Sequence, residues 1–430
     1  MASFSFSLPA ARGESLAHHR HQTSLEQVLD FSAAPLTTAE LAQADDIFNR
    51  LINHCEPLQS SKPYKKVTLV RLTYEHSRSK DMFLRQVFTY FDDTQTSQGP
   101  PTFEHGLSKF SSFSSQTIPA EREAEDAIDS FAEYLFDNFF LPMKAAGTKT
   151  PQPTPASLSA PSIENVVGTP ARLSTLRRDC LTRDHNRCVV TRAFNLNEAT
   201  EREKRDPSNS KDDDGQPLVF EHGQLARLEV AHIIPHSLMS AMAVDGQLEL
   251  SKSKKTALLI LNMFDPGIIH LIEGLNIDRP SNALTLTTEA HAYFGNFKVF
   301  FEAMDDHLTD CKHTYKIHSS DRGASLYFKL PVMRTLLLSS NHTVDPPSSK
   351  LLALHRAIAI ILDLSAAGEY IDRIIHDSEQ LWVRSDGSTE LGHIVSLSLG
   401  GWFDGVGADG MDYTHQYLRQ WQGGNSRLVE

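Results

Sequence analysis

Two histidines and an asparagine in the middle of the chain are the residue types of a metal-assisted hydrolytic site. His232 lies in the short apolar run 228–234, which Pro235 ends, Asn282 precedes a second apolar run, and His291 follows nine residues after Asn282. An imidazole titrates near neutral pH, so it can take a proton from water, and it is also a common metal ligand. Two short strands carrying His232 and Asn282, with a helix carrying His291 behind them, can therefore fold around one metal ion.

The segments that contain these residues resemble the His-Asn-His (HNH) endonucleases, whose ββα-metal core cuts phosphodiester bonds. The matching stretches are 187–191, 228–235 and 277–286, together with His291. The resemblance covers roughly residues 177–302. It implies that His232 is the general base, that Asn282 has the middle position and that His291 has the last. The Ala-His-Ile-x-Pro form found here is similar to a branch of the family that includes many fungal proteins.

The sequence departs from the common family pattern in two places. Many members carry Asp or His directly before the base as a metal ligand, whereas this chain has Ala231. Asp278 is a candidate replacement, because carboxylates suit Mg²⁺ and Mn²⁺, although it could equally cap the turn before Arg279-Pro280. The interval between His232 and Asn282 is also long, which implies an inserted helical element from about residue 237 to 274.

The resemblance implies a divalent cation, Mg²⁺ or Mn²⁺ first, with Zn²⁺ or Ni²⁺ as alternatives. His291 and Asp278 are the candidate metal ligands, and His232 and Asn282 are the candidate catalytic residues. The competing interpretation of His232 is a buried histidine bonded to the backbone. His236, beyond Pro235, is expected to be a packing or surface residue rather than a ligand.

The charge of the chain limits how it can bind nucleic acid. With 41 Lys and Arg against 54 Asp and Glu, the formal net charge is −13, which repels phosphates unless basic residues cluster on one surface. Candidate phosphate contacts, which could also be plain solubilising charge, are Arg177, Arg178, Arg183, Arg187, Lys252, Lys254 and Lys255. Two functions remain open: a metal-dependent endonuclease acting on nucleic acid, with DNA expected, or a catalytically degenerate binding or regulatory module.

The hydrophobic pattern predicts a mainly helical α+β protein, and the resemblance implies a ββα-metal core at its centre. Thr37 and Glu40 indicate a capped helix start, and the proline-rich stretch 147–163 is typical of a linker. The expected units are a disordered tail (1–35), an N-terminal helical region (36–146), that linker, a nuclease-like domain (164–335), a C-terminal helix (336–380) and a C-terminal tail (381–430). The N-terminal region is a possible site for a protein partner.

Composition also bears on where the protein works. No apolar run reaches the roughly 18 residues of a membrane span, and the N-terminus does not look like a secretory signal. Four cysteines without a Cys-x-x-Cys pair suit a reducing compartment and give no structural zinc knuckle. An intracellular location, cytoplasmic or nuclear, is expected.

Overall fold

The N-terminal part of the chain is a bundle of helices. In a computed structural model, the residues described are 35–93, 100–113, 118–147, 169–221, 224–240, 242–244, 247–304, 313–339, 343–379 and 391–402. The expected tail 1–35 and linker 147–163 lie almost wholly outside them. The bundle helices are α1 (Thr38–Cys55), α2 (Lys66–His76), α3 (Lys80–Asp93), α4 (Phe103–Ser111), α5 (Ile118–Leu135) and, after a π-helical turn (Phe136–Phe140), α6 (Leu141–Gly147).

Local sequence explains how this bundle begins and what fills it. A capping box starts α1: Glu40 N donates to Thr37 Oγ1 at 3.3 Å, and Thr37 N donates to Glu40 Oε2 at 2.8 Å, as the sequence predicted. Aromatic rings fill the interior, for example Phe83 edge-on to Phe48 at 5.6 Å and to Phe131 at 6.1 Å. The bundle therefore has an apolar interior of its own.

The middle of the chain alternates short helices and strands. Its elements are α7 (Pro170–Arg183), β1 (Phe194–Asn195), α8 (Leu196–Arg205), β2 (Leu225–Ala226), β3 (Leu228–His232), β4 (Met242–Val244), β5 (Gln247–Glu249), α9 (Lys252–Phe264), α10 (Ile269–Ile272), β6 (Ala283–Thr287) and α11 (Thr288–Gly295). The expected insertion contains the β4–β5 hairpin as well as the helices α9 and α10. It packs on the bundle, with Phe264 stacked on Phe139 at 5.5 Å.

The pair β3–β6 and the helix α11 form the centre of the molecule. The strands are antiparallel, with Leu228 opposite Thr287 at one end and His232 opposite Ala283 at the other. Helix α11 follows β6 directly, because Thr287 caps it by accepting a hydrogen bond from Ala290 N at 3.2 Å. The helix then packs back against both strands. Two strands and a helix thus follow the order that the sequence predicted.

The C-terminal elements differ from the expected long helix and tail. They are β7 (Val299–Ala303), β8 (Thr314–Ser319), α12 (Arg322–Tyr327), β9 (Val332–Thr335), α13 (Ser349–Leu364), α14 (Ala367–Glu379) and α15 (Leu391–Leu399). The expected single helix breaks between α13 and α14, where Ala366 has a φ of 60°, outside the right-handed helical range. Within the expected tail, α15 is helical and Trp402 is buried, donating from Nε1 to Ser253 Oγ at 2.9 Å.

One hydrophobic core joins these parts. Buried residues from Ala44 in the bundle, through Leu284 on β6, to Trp402 near the C-terminus form a single cluster. Among the described residues no single helix is long and apolar enough to span a membrane. The pair Ser349–Leu364 and Ala367–Asp377 meets that test only jointly and is bent by 87°.

Candidate metal and proton-transfer site

His232 lies at the carboxyl end of β3 and is almost fully enclosed, with about 1% of its side chain exposed. Its Nε2 is 3.1 Å from Asp278 Oδ1. Because a carboxylate only accepts, the ring donates from Nε2, and Nδ1 is then the basic nitrogen of the neutral imidazole. The partner of Nε2 is thus a carboxylate, whereas the competing interpretation of His232 predicts a hydrogen bond to the backbone.

Asp278 is also buried, at the end of the 3₁₀ turn Gly274–Asp278. Its second oxygen, Oδ2, lies 3.6 Å from Arg172 Nε on α7. The carboxylate expected as a metal ligand is therefore placed between an imidazole and a guanidinium.

His236 packs beside this pair, with its ring centroid 5.5 Å from that of His232. Burial, and next the positive charge that His232 can carry, lowers the pKa of His236 to about 4. His236 therefore stays neutral near pH 7 and adds no competing charge next to His232. Its buried packing position agrees with the sequence-based expectation.

Asn282 connects the segments that carry His232 and Asp278. Its Oδ1 accepts from Ile234 N at 3.0 Å, and its Nδ2 donates to Ile234 O at 3.0 Å and to Ile277 O at 2.9 Å. The backbone adds Ile233 N to Asn282 O at 2.8 Å. The amide is fully buried, and its contacts hold the chain after His232 against the chain before Asp278.

Arg183 and Asp184 support the same region from the end of α7. The guanidinium is completely buried and donates to Pro280 O at 2.7 Å and to Ala283 O at 2.9 Å, on either side of Asn282. Asp184 neutralises it at 2.8 Å and accepts from Thr285 N. The sequence predicts Arg183 to be a phosphate contact or a surface charge, and this prediction is wrong. Arg183 is an internal support, because its ion pair and hydrogen bonds compensate the cost of burying its charge.

His291 forms a second histidine–carboxylate pair. On α11, its Nδ1 donates to Glu229 Oε2 at 2.7 Å. This contact is the main cause that lowers the pKa of Glu229, so the carboxylate stays ionised. Among the described residues, His291 Nε2 is buried without a hydrogen-bond partner. Glu229 was not singled out from the sequence, although a charged residue inside an otherwise apolar strand was a usable signal.

The two pairs lie on different faces of the β3–β6 ribbon. Side chains alternate along a strand, so His232 shares one face with Val230, and Glu229 shares the other with Ala231. Val230 packs with Leu176 and Cys180 of α7, whereas Ala231 joins the main core on the α11 side. The structure thus brings together His232, Asp278 and Asn282, and holds His291 apart with Glu229. The expectation that His232, Asn282 and His291 surround one metal ion is therefore wrong for the described residues, because alternation along β3 directs the two carboxylate pairs to different faces.

One imidazole of the site, that of His291, has the chemistry of a metal ligand. Within the described ranges no group of three or more His, Cys, Asp or Glu side chains is placed to hold a metal ion. His291 nevertheless has the arrangement usual for a metal-bound histidine, in which one ring N–H donates to a carboxylate and the other nitrogen is the ligand. The buried Nε2 without a partner is therefore the atom best suited to bind a cation.

Most of the arginines proposed as phosphate contacts are engaged elsewhere. Arg177 donates to Leu228 O at 2.8 Å, Arg178 pairs with Asp179 at 3.0 Å, and Arg187 pairs with Asp212 at 2.6 Å. Lys254 is fully buried and donates to Ser240. These side chains mainly satisfy internal partners.

Comparison with known proteins finds one family model that matches this part of the chain. Residues 188–302 match the model of the HNH endonuclease family, a segment that contains β3, β6, α11 and all four predicted site residues. No curated protein and no solved structure matches the chain. The histidines of the two carboxylate pairs and the asparagine between them thus lie in a segment, residues 188–302, that is of the HNH endonuclease type.

Proposed function

We propose that this protein is a metal-dependent endonuclease that hydrolyses phosphodiester bonds of nucleic acid, with DNA as the expected substrate. The observation that carries the proposal is the contact between His232 Nε2 and Asp278 Oδ1 at 3.1 Å, inside a segment that matches HNH endonucleases. A histidine that donates one nitrogen to a carboxylate presents the other as a base.

In this proposal His232 takes the proton of the attacking water on Nδ1. Asp278 holds the ring in one tautomer and stabilises the imidazolium that forms, which is the contribution expected of a buried carboxylate behind a catalytic histidine. Arg172 places its positive charge 3.6 Å from the second oxygen of Asp278. Asp278 is thus proposed as a positioning residue, with metal ligation as its alternative role.

Asn282 acts in this proposal through the backbone. Its three amide hydrogen bonds fix the segments on either side of the His232–Asp278 pair, and Arg183 fixes the segment that carries Asn282 itself. Small displacements of a base cost much of its rate, so these contacts preserve catalytic geometry.

The metal in this proposal is held by His291 Nε2, with Glu229 orienting the ring. Mg²⁺ or Mn²⁺ is expected, and Zn²⁺ or Ni²⁺ would also suit an imidazole ligand. A cation bound there would neutralise negative charge on a phosphate of the substrate. Water and phosphate oxygens complete the coordination of such ions in many phosphoryl-transfer sites.

The test is a nicking assay on supercoiled plasmid with Mg²⁺, Mn²⁺, Ni²⁺ or Zn²⁺. The wild type should nick the plasmid, and His232→Ala should lose roughly 10²–10⁴-fold in rate, the usual contribution of a general base. His270→Ala is the matched control, because that side chain is 64% exposed and lies outside the site. Equal nicking by wild type and His232→Ala would show that the cleavage comes from a contaminant.

The second candidate function is a binding or regulatory module that keeps the fold without turnover. Two observations favour it: Ala231 offers no metal donor, and only about 1% of the His232 side chain is exposed, so substrate cannot reach the ring without rearrangement. Tight DNA binding by the wild type without nicking in any of the four metals would select this alternative.

An intracellular location, cytoplasmic or nuclear, is supported by the unpaired thiols of Cys55, Cys180 and Cys188, which are all buried. A protein partner of residues 36–146 stays a prediction.

A further inference from the structure

The loop of residues 188–193 runs along the outer edge of β6. Val189 N donates to Thr285 O at 2.9 Å, and Thr287 N donates to Cys188 Sγ at 3.3 Å. Because Thr287 is also the cap of α11, this loop touches the start of the helix that carries His291. Arg192 follows at the turn of the loop.

Arg192 and Arg334 tie this loop to β9 by a reciprocal contact. Arg192 Nη2 donates to Thr335 O, and Arg334 Nε donates to Val190 O at 2.9 Å. Each guanidinium thus bonds to the segment that carries the other, so two positive charges are held side by side. Burial first, and then the charge of Arg334, lowers the pKa of Arg192.

This pair differs in its partners from the nearby Arg187 and Arg202. Arg187 has Asp212 at 2.6 Å and Arg202 has Glu198 at 2.8 Å, whereas in the part of the chain that the structure describes neither Arg192 nor Arg334 has a carboxylate within ion-pair distance. Two half-buried like charges without an ion-pair partner are unfavourable, and the carboxylate of Asp184 acts on Arg192 only from beyond ion-pair distance. An anion bound between them would remove that cost.

The backbone of Arg192 gives an independent reason to assign it a ligand. Its φ is 66°, in the left-handed region where glycine is the favourable residue and other side chains cost about 1–2 kcal/mol. A side chain kept at such a position despite strain is often a functional one.

We propose that Arg192 and Arg334 bind a phosphate of the nucleic-acid backbone next to the His291 helix, an inference that rests on the proposed function. Each guanidinium carries five N–H donors. The described contacts use one donor of Arg192 and two of Arg334, so both retain donors for phosphate oxygens. On a chain of net charge −13, such a local basic pair supplies attraction that the molecule as a whole lacks.

The test measures binding of a labelled DNA duplex to the full-length protein in EDTA, so that cleavage does not interfere. Arg192→Gly suits it because glycine accepts the positive φ: the fold should keep its melting temperature while the duplex affinity falls roughly five- to tenfold. The slope of log affinity against log salt should also become shallower by about 1. Arg334→Gln should weaken binding in the same way, and it tests the pair separately.

Arg178→Ala is the matched control, since it removes the same charge from a side chain that is 72% exposed and paired with Asp179. Its affinity should stay near that of the wild type. The proposal is overturned if Arg192→Gly lowers the melting temperature and leaves binding unchanged, which would make the pair a structural clasp. Equal losses in Arg178→Ala, or no duplex binding by the wild type, would also overturn it.

The binding experiment and the nicking assay can give opposite results, so the two proposals can fail independently. Loss of binding in Arg192→Gly without any metal-dependent cleavage by the wild type would support the phosphate site and reject the endonuclease. Cleavage by the wild type with unchanged binding in both arginine variants would do the reverse.

Discussion

His232 and His291 each donate one ring N–H to a carboxylate, yet the two pairs are suited to different work. His232 faces a fully buried Asp278 that also has Arg172 beside it, an arrangement suited to holding a base. His291 faces Glu229, whose side chain is 28% exposed, and presents a buried Nε2. In the proposed function, the same hydrogen bond therefore serves proton transfer at His232 and metal ligation at His291.

Replacing Glu229 tests the metal role of His291. Glu229→Gln keeps the shape but removes the charge that holds Nδ1, so Mn²⁺ affinity measured by calorimetry should fall by about 10–100-fold, as for other carboxylates behind metal-bound histidines. The control Glu289→Gln, at an exposed position on α11, should bind Mn²⁺ like the wild type. Unchanged affinity in Glu229→Gln would place the metal elsewhere.

Replacing Asn282 tests its positioning role. Asn282→Asp replaces the Nδ2 group, which donates both hydrogen bonds, with a carboxylate oxygen that faces Ile234 O and Ile277 O. Because two acceptors then face a buried negative charge, the free energy of unfolding should fall by about 2–5 kcal/mol. Urea denaturation measures the change, with the exposed Asn209→Asp as control. A loss no larger than that of the control would contradict the assigned contacts.

At the scale of elements, helix α6 packs directly against the end of α11. Lys144 on α6 is buried and donates to Asn296 O at 2.9 Å, with Asp372 on α14 neutralising it at 3.0 Å. Gly147 approaches Gly295 so closely that a Cβ at Gly147 would lie 2.1 Å from Gly295 O. The N-terminal bundle therefore helps to position the helix that carries His291.

Gly147→Ala tests this contact between helices. The added methyl group must displace the backbone of α11, which should lower the free energy of unfolding by about 1–3 kcal/mol and reduce nicking with it. Gly392→Ala is the control, since nothing lies within 4 Å of its Cβ position. Equal melting temperatures for the two variants would show that α6 and α11 are not in close contact.

At the scale of the whole molecule, His355 shows how the single core responds to pH. Its ring stacks on Phe294 of α11 at 3.9 Å and on Phe297 at 4.5 Å, and Nε2 donates to Phe294 O at 3.0 Å. Burial lowers the pKa of His355 to about 3. The neutral ring thus joins α13 to α11 in the interior.

A histidine whose pKa is lowered in the folded protein destabilises the fold at low pH and has no such effect at high pH. Below about 6.5 the unfolded chain takes up a proton that the folded chain refuses, so stability should fall by about 1.4 kcal/mol per pH unit between about pH 6 and pH 3. His355→Leu should reduce this slope in urea titrations. His236, with a pKa of about 4, contributes in the same direction, so some slope should remain. A slope unchanged in His355→Leu would show that this ring is accessible to protons.

Much of the centre was predictable because its determinants are local. The apolar run before Pro235 and the run after Asn282 predicted strands, and they are β3 and β6. The helix that carries His291 was predicted from the residues after β6, and Thr287 caps it. Backbone preference, capping and alternation act over a few residues, and a single sequence displays them fully.

The partners of the site residues depended on contacts between distant segments. Asp278 reaches His232 across 46 positions and Glu229 reaches His291 across 62, and no periodicity indicates either pairing. Alternation along β3 indicates that the two histidines lie on different faces only when two further facts are known. These are the register of β3 against β6 and the packing of α7 and α11 on opposite sides of the ribbon. The sequence thus sufficed for the types of the three central elements and, through the family resemblance, for the identity of the motif. The hydrogen-bond partners of the site and the break between α13 and α14 were decided by the packing of the elements. Long-range contacts choose among conformations whose free energies are nearly equal by local preference alone.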